Sequence, residues 1–284
     1  MNEEYSDLTS LNTYRIKASA KEVFYPQNEL ELIDKIKILK SNQTPWILLG
    51  KCSNVILPST PFSGCVIKLD EIRHIDYFGD YVFVSAGMSL NEFVKDTIAK
   101  GYGNLADLYG IPGSVGGAIW ANAGSYNTSI FTELESVLIY DFQEVKLINK
   151  NNIKHAYRYT EFKDQDVIIL GGVFKLVKED SHEVWAKIKS NLEKRVLSQP
   201  LEYPNAGSVF KNPPNQSAGK LIEECNLKGY RINGAMVSTK HANFIINVGD
   251  ATQKDIVKLI DHIKQTVKTE KNIDLELEQK IIKW

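Results

Sequence analysis

The sequence reads as an α+β protein with more than one folded unit. Helix-period apolar stripes occur alongside short apolar runs of strand character. The character of the chain shifts near residue 180, where a long helical pattern ends before Pro200 and a turn-rich segment, "LEYPNAGSVFKNPPNQSAG", follows. At 284 residues the chain is too long for one small core, so two or three sub-domains are expected, with a boundary near 190–200.

The elements follow in order. "NELELIDKIKILK", residues 28–40, is a helix with Asn28 as its cap and Glu31 in capping-box spacing; Leu32, Ile33, Ile36 and Leu39 form one face. "WILLG", Trp46 to Gly50, is a buried strand running into a turn. "GCVIKL" and "YVFVSAG" are further strands, and "LNEFVKDTIAKG" is a helix stopped by Gly101. "LESVLIYD", "EVKLIN" and "DVIILGGVFKL" read as strands, and "SHEVWAKIKSNLEKRVLSQP" as a helix. The last part predicts a helix in "AGKLIEECNL", strands near "AMVS" and "FIIN", a helix over 252–268, and a final strand in "LELEQKIIKW". Thr252 can cap that helix, and Ile256, Leu259, Ile260, Ile263 and Val267 make its apolar stripe.

Bulk composition excludes several classes. A net charge of −1 lacks the basic excess that non-specific nucleic-acid binding needs. No run approaches the length of a membrane-spanning helix, and the acidic start "MNEEYSDLTS" is wrong for a signal peptide. Cys52, Cys65 and Cys225 are odd in number and lack metal-ligand spacing, and the five histidines are scattered. A reduced, cytoplasmic setting and no metal site are expected.

Backbone freedom is concentrated in "YGIPGSVGGAIWANAGSYN", residues 109–127, which holds five of the eighteen glycines. It is neither a P-loop nor a G-x-G-x-x-G dinucleotide fingerprint. Amide groups at its glycines and at a helix start can form an anion-binding concavity, whereas composition alone slightly favours a tight connection within a sheet. "LGKCSNVIL" is a second candidate cradle: a strand ends at Gly50, and Ser53 and Asn54 carry polar side chains. Together the two loops suggest a pyrophosphate held by backbone amides. In "NAGSVFKNP", Ser208 follows Gly207 in an exposed turn, without the G-x-S-x-G elbow of a hydrolase. Arg158 in "YRYTEF" by itself reads as a surface-strand arginine. Glu276, Glu278 and Lys280 in "LELEQKII" read as one solvated strand face.

In combination these motifs resemble the UDP-N-acetylenolpyruvoylglucosamine reductase family. "LTSLNTYRI", "LGKCSNVIL", "YGIPGSVGGAIWANAGSY", "YRYTEF", "QPLEYPNAGSVFKNP", "AGKLIEECNLKGYRINGAMVSTKHANFIIN" and "LELEQKII" occur in family order over most of the chain. The resemblance is to the compact type that lacks a substrate-capping insertion. It implies a two-subdomain FAD-binding unit of the vanillyl-alcohol-oxidase/p-cresol-methylhydroxylase type, residues 1–70 and 71–190, followed by an α+β substrate-binding domain, 191–284. It implies FAD and NADPH as cofactors and a UDP-sugar as substrate, with no nucleic acid, membrane insertion or obligate protein partner. Cofactor positions carried over are Gly50, Cys52, Ser53 and Asn54 in the first loop, and Ile111, Pro112, Gly113, Ser114, Gly116, Gly117, Asn122, Ala123 and Gly124 in the second. Arg158, Ser208 and Glu278 match the catalytic positions, and Tyr157, Asn212 and Lys280 the substrate-binding ones.

The implied chemistry suits these residue types. The flavin takes hydride from NADPH and returns it to an enolpyruvyl double bond, so negative charge develops as an enolate. A cation such as Arg158 would stabilise that charge. The enolate carbon is basic enough for a weak acid, the Ser208 hydroxyl, to protonate it. Glu278 would orient the acid or polarise the acceptor.

Several positions depart from the family pattern. Cys52 replaces a glycine, "NTYRIKASA" lacks a glycine pair, and Ser198 stands where a lysine is common. Leu90 occupies the region of a usual tryptophan, and Lys280 replaces an arginine and loses its bidentate fork. Two rival readings follow. One is a related flavoprotein acting on another nucleotide-sugar, which the missing lysine at 198 would fit. The other is a non-catalytic FAD-binding homologue, against which Arg158, Ser208 and Glu278 argue.

Overall fold

The computed structural model describes residues 4–126 and 128–284; Met1–Glu3 of the acidic N-terminus and Asn127 of the glycine-rich stretch lie outside the described residues. The chain divides into two units, one of residues 24–51 and 66–193, the other of residues 1–23, 52–65 and 194–284. The helix Ser181–Ser198 runs through the last division.

The first of these units centres on a five-stranded antiparallel sheet. Its spatial order is Val145–Asn149, Leu134–Tyr140, Ile168–Lys175, Tyr81–Ser85, Ile75–Phe78. Leu134–Tyr140 and Ile168–Lys175 are central and mostly buried, whereas Val145–Asn149 is an edge strand and mostly exposed. The helix Glu29–Ser41 starts where Asn28 predicts: the Asn28 side chain accepts from the Glu31 amide, and Leu32, Ile33, Ile36 and Leu39 are buried. The Glu31 carboxylate reaches back one residue further than a capping box requires, accepting from the Gln27 amide at 2.7 Å. Leu90–Ala99 forms the next helix, and Gly101 just beyond it takes φ +82°. Trp46–Leu49 is a strand, but only Leu49 is buried; the expectation of a fully buried run fails because the other three side chains are half-exposed.

The second unit packs two helices on short strands. Arg231–Ile232, Ala235–Val237 and Ile245–Asn247 form an antiparallel three-stranded sheet. The helix Gln253–Lys271 buries Ile256, Leu259, Ile260, Ile263 and Val267, the stripe its periodicity predicts. These join Tyr14, Ile16, Ile56, Phe210, Leu221 and Ile222 in one core. The final strand is shorter than its alternation suggests. Only Lys280–Ile281 pairs, in parallel with Val55–Ile56, and Leu277 forms a single bridge to Phe210. The preceding residues bond instead to the Asn205–Pro213 segment, with the Lys211 amide donating to the Glu276 carbonyl. Among the described residues no helix is long and apolar enough to cross a membrane.

Thr252 caps the long helix reciprocally. Its hydroxyl accepts from the Asp255 amide, and the Asp255 carboxylate accepts from the Thr252 amide at 2.9 Å. Thr252→Ala is therefore expected to lower unfolding free energy by about 1 kcal/mol. Urea denaturation followed by circular dichroism measures this, and an unchanged midpoint would contradict the capping role.

Candidate active site and family assignment

The glycine-rich stretch folds as a tight entry into the short helix Val115–Ala121, which Ser114 caps and Asn122 ends in a left-handed conformation. Its glycines serve packing as much as openness. A Cβ on Gly116 would lie 2.7 Å from the Ala86 Cβ, so this helix start lies directly against the chain leaving Tyr81–Ser85. The amides of the first turn are engaged within the chain: Val115 donates to Met88 O, Gly116 to Ala86 O, and Gly117 to the Ser114 hydroxyl. The Ile111 and Gly110 amides likewise donate to Leu108 O and the Asn91 side chain. The amides on which a helix-start anion site would rest are thus largely committed to holding the loop.

Gly50 brings the two predicted loops together. A Cβ there would come within 2.8 Å of the Ser114 hydroxyl oxygen, so a side chain at position 50 would push that hydroxyl off its cap on the Gly117 amide. The Gly50 carbonyl accepts from the Lys68 ammonium at 2.5 Å. Because a trans peptide sets C=O and N–H on opposite sides, this bond aims the Lys51 amide away from Lys68. Lys68 is only 3% exposed and is balanced by Asp70, 3.4 Å away, which also binds Lys51 at 2.5 Å. Burial pushes the Asp70 carboxyl up, but the Lys51 and Lys68 ammonium groups outweigh it and hold the group below its ordinary 3.8.

Cys52 stands at the departure from the family glycine, and its backbone takes a conformation that favours glycine. Its φ is +52°, in the left-handed region, with the side chain buried. The Cys52 carbonyl accepts from the Thr13 hydroxyl at 3.0 Å. Ser53 and Asn54 follow, half-buried, and the Asn54 amide group donates to the Glu278 carbonyl at 3.2 Å.

Arg158 sits in the two-residue turn between His155–Ala156 and Tyr159–Thr160, at φ +55°. It is a turn residue, where a surface strand was the plain reading of its sequence context. Its guanidinium donates to the Gly124 carbonyl at 2.7 Å and lies 5.0 Å over the exposed Tyr157 ring. The Asn122 amide group donates to Ala156 O at 2.7 Å and the Thr160 hydroxyl to Trp120 O at 2.8 Å. The predicted catalytic arginine and the end of the predicted cofactor loop, Asn122 to Gly124, are therefore one assembly.

Val209, the residue after Ser208, is joined to Glu278 through its backbone. Gly207, at φ +74°, turns the chain into half-buried Ser208. The Val209 carbonyl accepts from the Glu278 amide at 2.8 Å, and the Lys280 amide donates to Asn54 O at 3.0 Å. Glu278 thus lies on a ladder between the serine turn and the first loop. Asn212 accepts from the Ala218 amide at 3.0 Å, tying its loop to the following helix, and the Lys280 side chain is exposed.

Two observations fit a dinucleotide cofactor of the FAD kind. The Asn122 side-chain oxygen is buried without a partner among the described residues, an acceptor that a bound donor would complete. The close approach of Gly50 to Ser114 brings together the two loops that the sequence marks for a cofactor.

Comparison with known proteins agrees with this geometry. Residues 20–141 match the model of an FAD binding domain, and residues 199–282 match that of the UDP-N-acetylenolpyruvoylglucosamine reductase C-terminal domain. The UDP-N-acetylenolpyruvoylglucosamine reductase of Chloroherpeton thalassium is 38% identical, over 98% of this chain and 92% of its own. The chain belongs to the UDP-N-acetylenolpyruvoylglucosamine reductase family. The reductase of Caldicellulosiruptor saccharolyticus is 35% identical over 97% of this chain and 90% of its own. The crystal structure of the Thermus caldophilus reductase superposes with a TM-score of 0.83 at 29% identity, covering 99% of this chain and 98% of the other. The fold is accordingly the family's α+β arrangement, an FAD-binding part followed by the reductase C-terminal domain.

Some residues that shape these reductase loops carry no motif signal. Lys68 and Asp70 sit in an ordinary strand end, and Gln279 looks like one more polar residue of a solvated strand. Buried polarity at Lys68 and Gln279, 3% exposed each, becomes visible only in the fold.

Two predictions follow from the first loop. At Cys52 the backbone favours glycine, so Cys52→Gly should be more stable than Cys52→Ala by about 1 kcal/mol. Thermal unfolding of the pair measures it, and equal stability would mean that the left-handed geometry is not held in solution. At Asp70 the folded state favours the carboxylate. Its contribution is complete above the ordinary value of 3.8 and is lost as pH falls through the lower folded value. The stability gap between the native protein and Asp70→Asn should be widest near about pH 6 and narrow toward about pH 3. A gap independent of pH would contradict the pairing.

Proposed function

We propose that this chain reduces the enolpyruvyl ether of UDP-N-acetylglucosamine enolpyruvate to UDP-N-acetylmuramate, in peptidoglycan precursor synthesis. The observation that carries this reading is the match over 98% of the chain to a reductase of that name. When bound, FAD accepts hydride from NADPH and delivers it to the substrate double bond. The chain's own residues supply position, charge and a proton.

Residues 1–70 and 71–190 form the two FAD-binding subdomains in this reading, and 191–284 the substrate domain. The matched segments 20–141 and 199–282 support that division of labour. In the second loop the Gly113–Ser114 peptide is the position offered to the pyrophosphate, since the amides of Val115, Gly116 and Gly117 that follow it are committed within the chain. The buried Asn122 oxygen supplies an acceptor to the cofactor.

Arg158 stabilises the enolate as it forms. Its guanidinium is held by the Gly124 carbonyl at 2.7 Å, which limits the reorganisation needed during reaction. Ser208 donates the proton to the enolate carbon; a neutral hydroxyl suffices because the acceptor is strongly basic. Glu278, fixed by its amide to the Val209 carbonyl, orients that donor or polarises the acceptor. Tyr157, Asn212 and Lys280 contact the UDP-sugar. Three buried cysteines, Cys52, Cys65 and Cys225, suit a reducing cytoplasm, where NADPH and the nucleotide-sugar are available.

Ser208→Ala should leave flavin reduction by NADPH intact and slow steady-state turnover by roughly a hundred- to ten-thousand-fold. Stopped-flow absorbance of the flavin separates the two steps. A variant with near-native turnover would remove Ser208 from the proton-donor role.

A further inference from the structure

The segment Leu275–Gln279 places a carboxamide where its alternation would put an apolar side chain. Leu275, Leu277 and Gln279 share one face; Leu275 is 2% exposed and Gln279 3%. An amide buried beside leucines is costly unless every polar atom is paired. Here each one is. The Gln279 oxygen accepts from the Tyr14 phenol at 3.0 Å, and its nitrogen donates to the carbonyls of Ala206 at 3.0 Å and Gly207 at 3.1 Å.

We propose that Gln279, held by Tyr14, is a positioning residue that sets the Ser208 turn for proton donation. This rests on the assignment of Ser208 as the proton donor. The two carbonyls it grips belong to the two peptides immediately before Ser208. Fixing the Gly207 carbonyl fixes the plane of the Gly207–Ser208 peptide, and with it the direction in which the serine leaves the turn. Gly207 needs such a restraint, because at φ +74° a glycine has the widest choice of alternative conformations.

Tyr14 is built to hold the other end. It is fully buried, and its backbone carbonyl accepts from the Asn247 side chain at 2.8 Å. Burial pushes its phenol well above the ordinary value, against the opposing effect of the Gln279 bond, so it stays a neutral donor. Neither Tyr14 nor Gln279 touches a reacting atom in this account; both act through the turn.

The test uses the FAD-loaded enzyme and two variants. In Gln279→Leu, amide hydrogen exchange across Gly207–Phe210 should rise. Flavin reduction by NADPH should stay within about twofold of native, and reoxidation by UDP-N-acetylglucosamine enolpyruvate should slow by about ten- to a hundred-fold. Tyr14→Phe, which removes only the phenol oxygen, should move exchange and reoxidation the same way by less, and it decides the matter alone if Gln279→Leu does not fold. Native exchange with native reoxidation overturns the proposal. So does an equal loss in both half-reactions, the mark of a merely structural role. If Ser208→Ala keeps its turnover, the donor assignment fails, while the exchange data still report whether Gln279 holds the turn.

Discussion

The close approach of Gly50 to Ser114 is the constraint on which the glycine-rich loops depend. A single Cβ would stand 2.8 Å from the serine oxygen, closer than packed side chains come. Other contacts fix the same loops. Ser114 caps the short helix, the helix start lies against Ala86, and Lys68 holds the Gly50 carbonyl from behind. Lys68 can be buried there because Asp70 balances its charge and the carbonyl uses one of its protons. The loop is thus tied down at several points within its own unit.

The same logic of fixed backbone recurs at the catalytic candidates. Arg158 occupies a left-handed turn position, a conformation that costs a non-glycine residue free energy and persists only where surrounding contacts enforce it. Its neighbours supply those contacts through Gly124, Ala156 and Trp120. Cys52, also in the left-handed region, is a second such position. Ser208 is held differently. A flexible glycine precedes it, and the restraint comes from side chains elsewhere in the sequence, Asn205 accepting from the Gly207 amide and Gln279 donating to its carbonyl.

The sequence made some of this legible because periodicity and capping are local. The stripe from Ile256 to Val267 and the caps at Asn28 and Thr252 could be read from spacing alone. The closing segment could not. Its alternation set Glu276, Glu278 and Lys280 on a solvated face of a final strand, yet only Lys280 and Ile281 pair as a strand, because the serine loop takes up the neighbouring bonds. The glycine-rich loop was legible as a place of close approach. Which of its amides bond within the chain was not, since the acceptors at Ala86 and Met88 lie some thirty residues earlier. Gln279 was invisible for a related reason: a polar letter in a polar-looking run carries no sign of burial, and its partners lie at Tyr14 and Ala206.

The central claim is that this reductase-family chain uses a bound flavin to pass hydride from NADPH to an enolpyruvyl nucleotide-sugar. The direct measurement is NADPH consumption by the purified, FAD-loaded protein, with and without UDP-N-acetylglucosamine enolpyruvate. The protein is expected to be yellow and to consume NADPH steadily only when that substrate is present, one equivalent per equivalent of UDP-N-acetylmuramate formed. A protein that cannot be loaded with FAD would contradict it, as would NADPH consumption indifferent to that substrate.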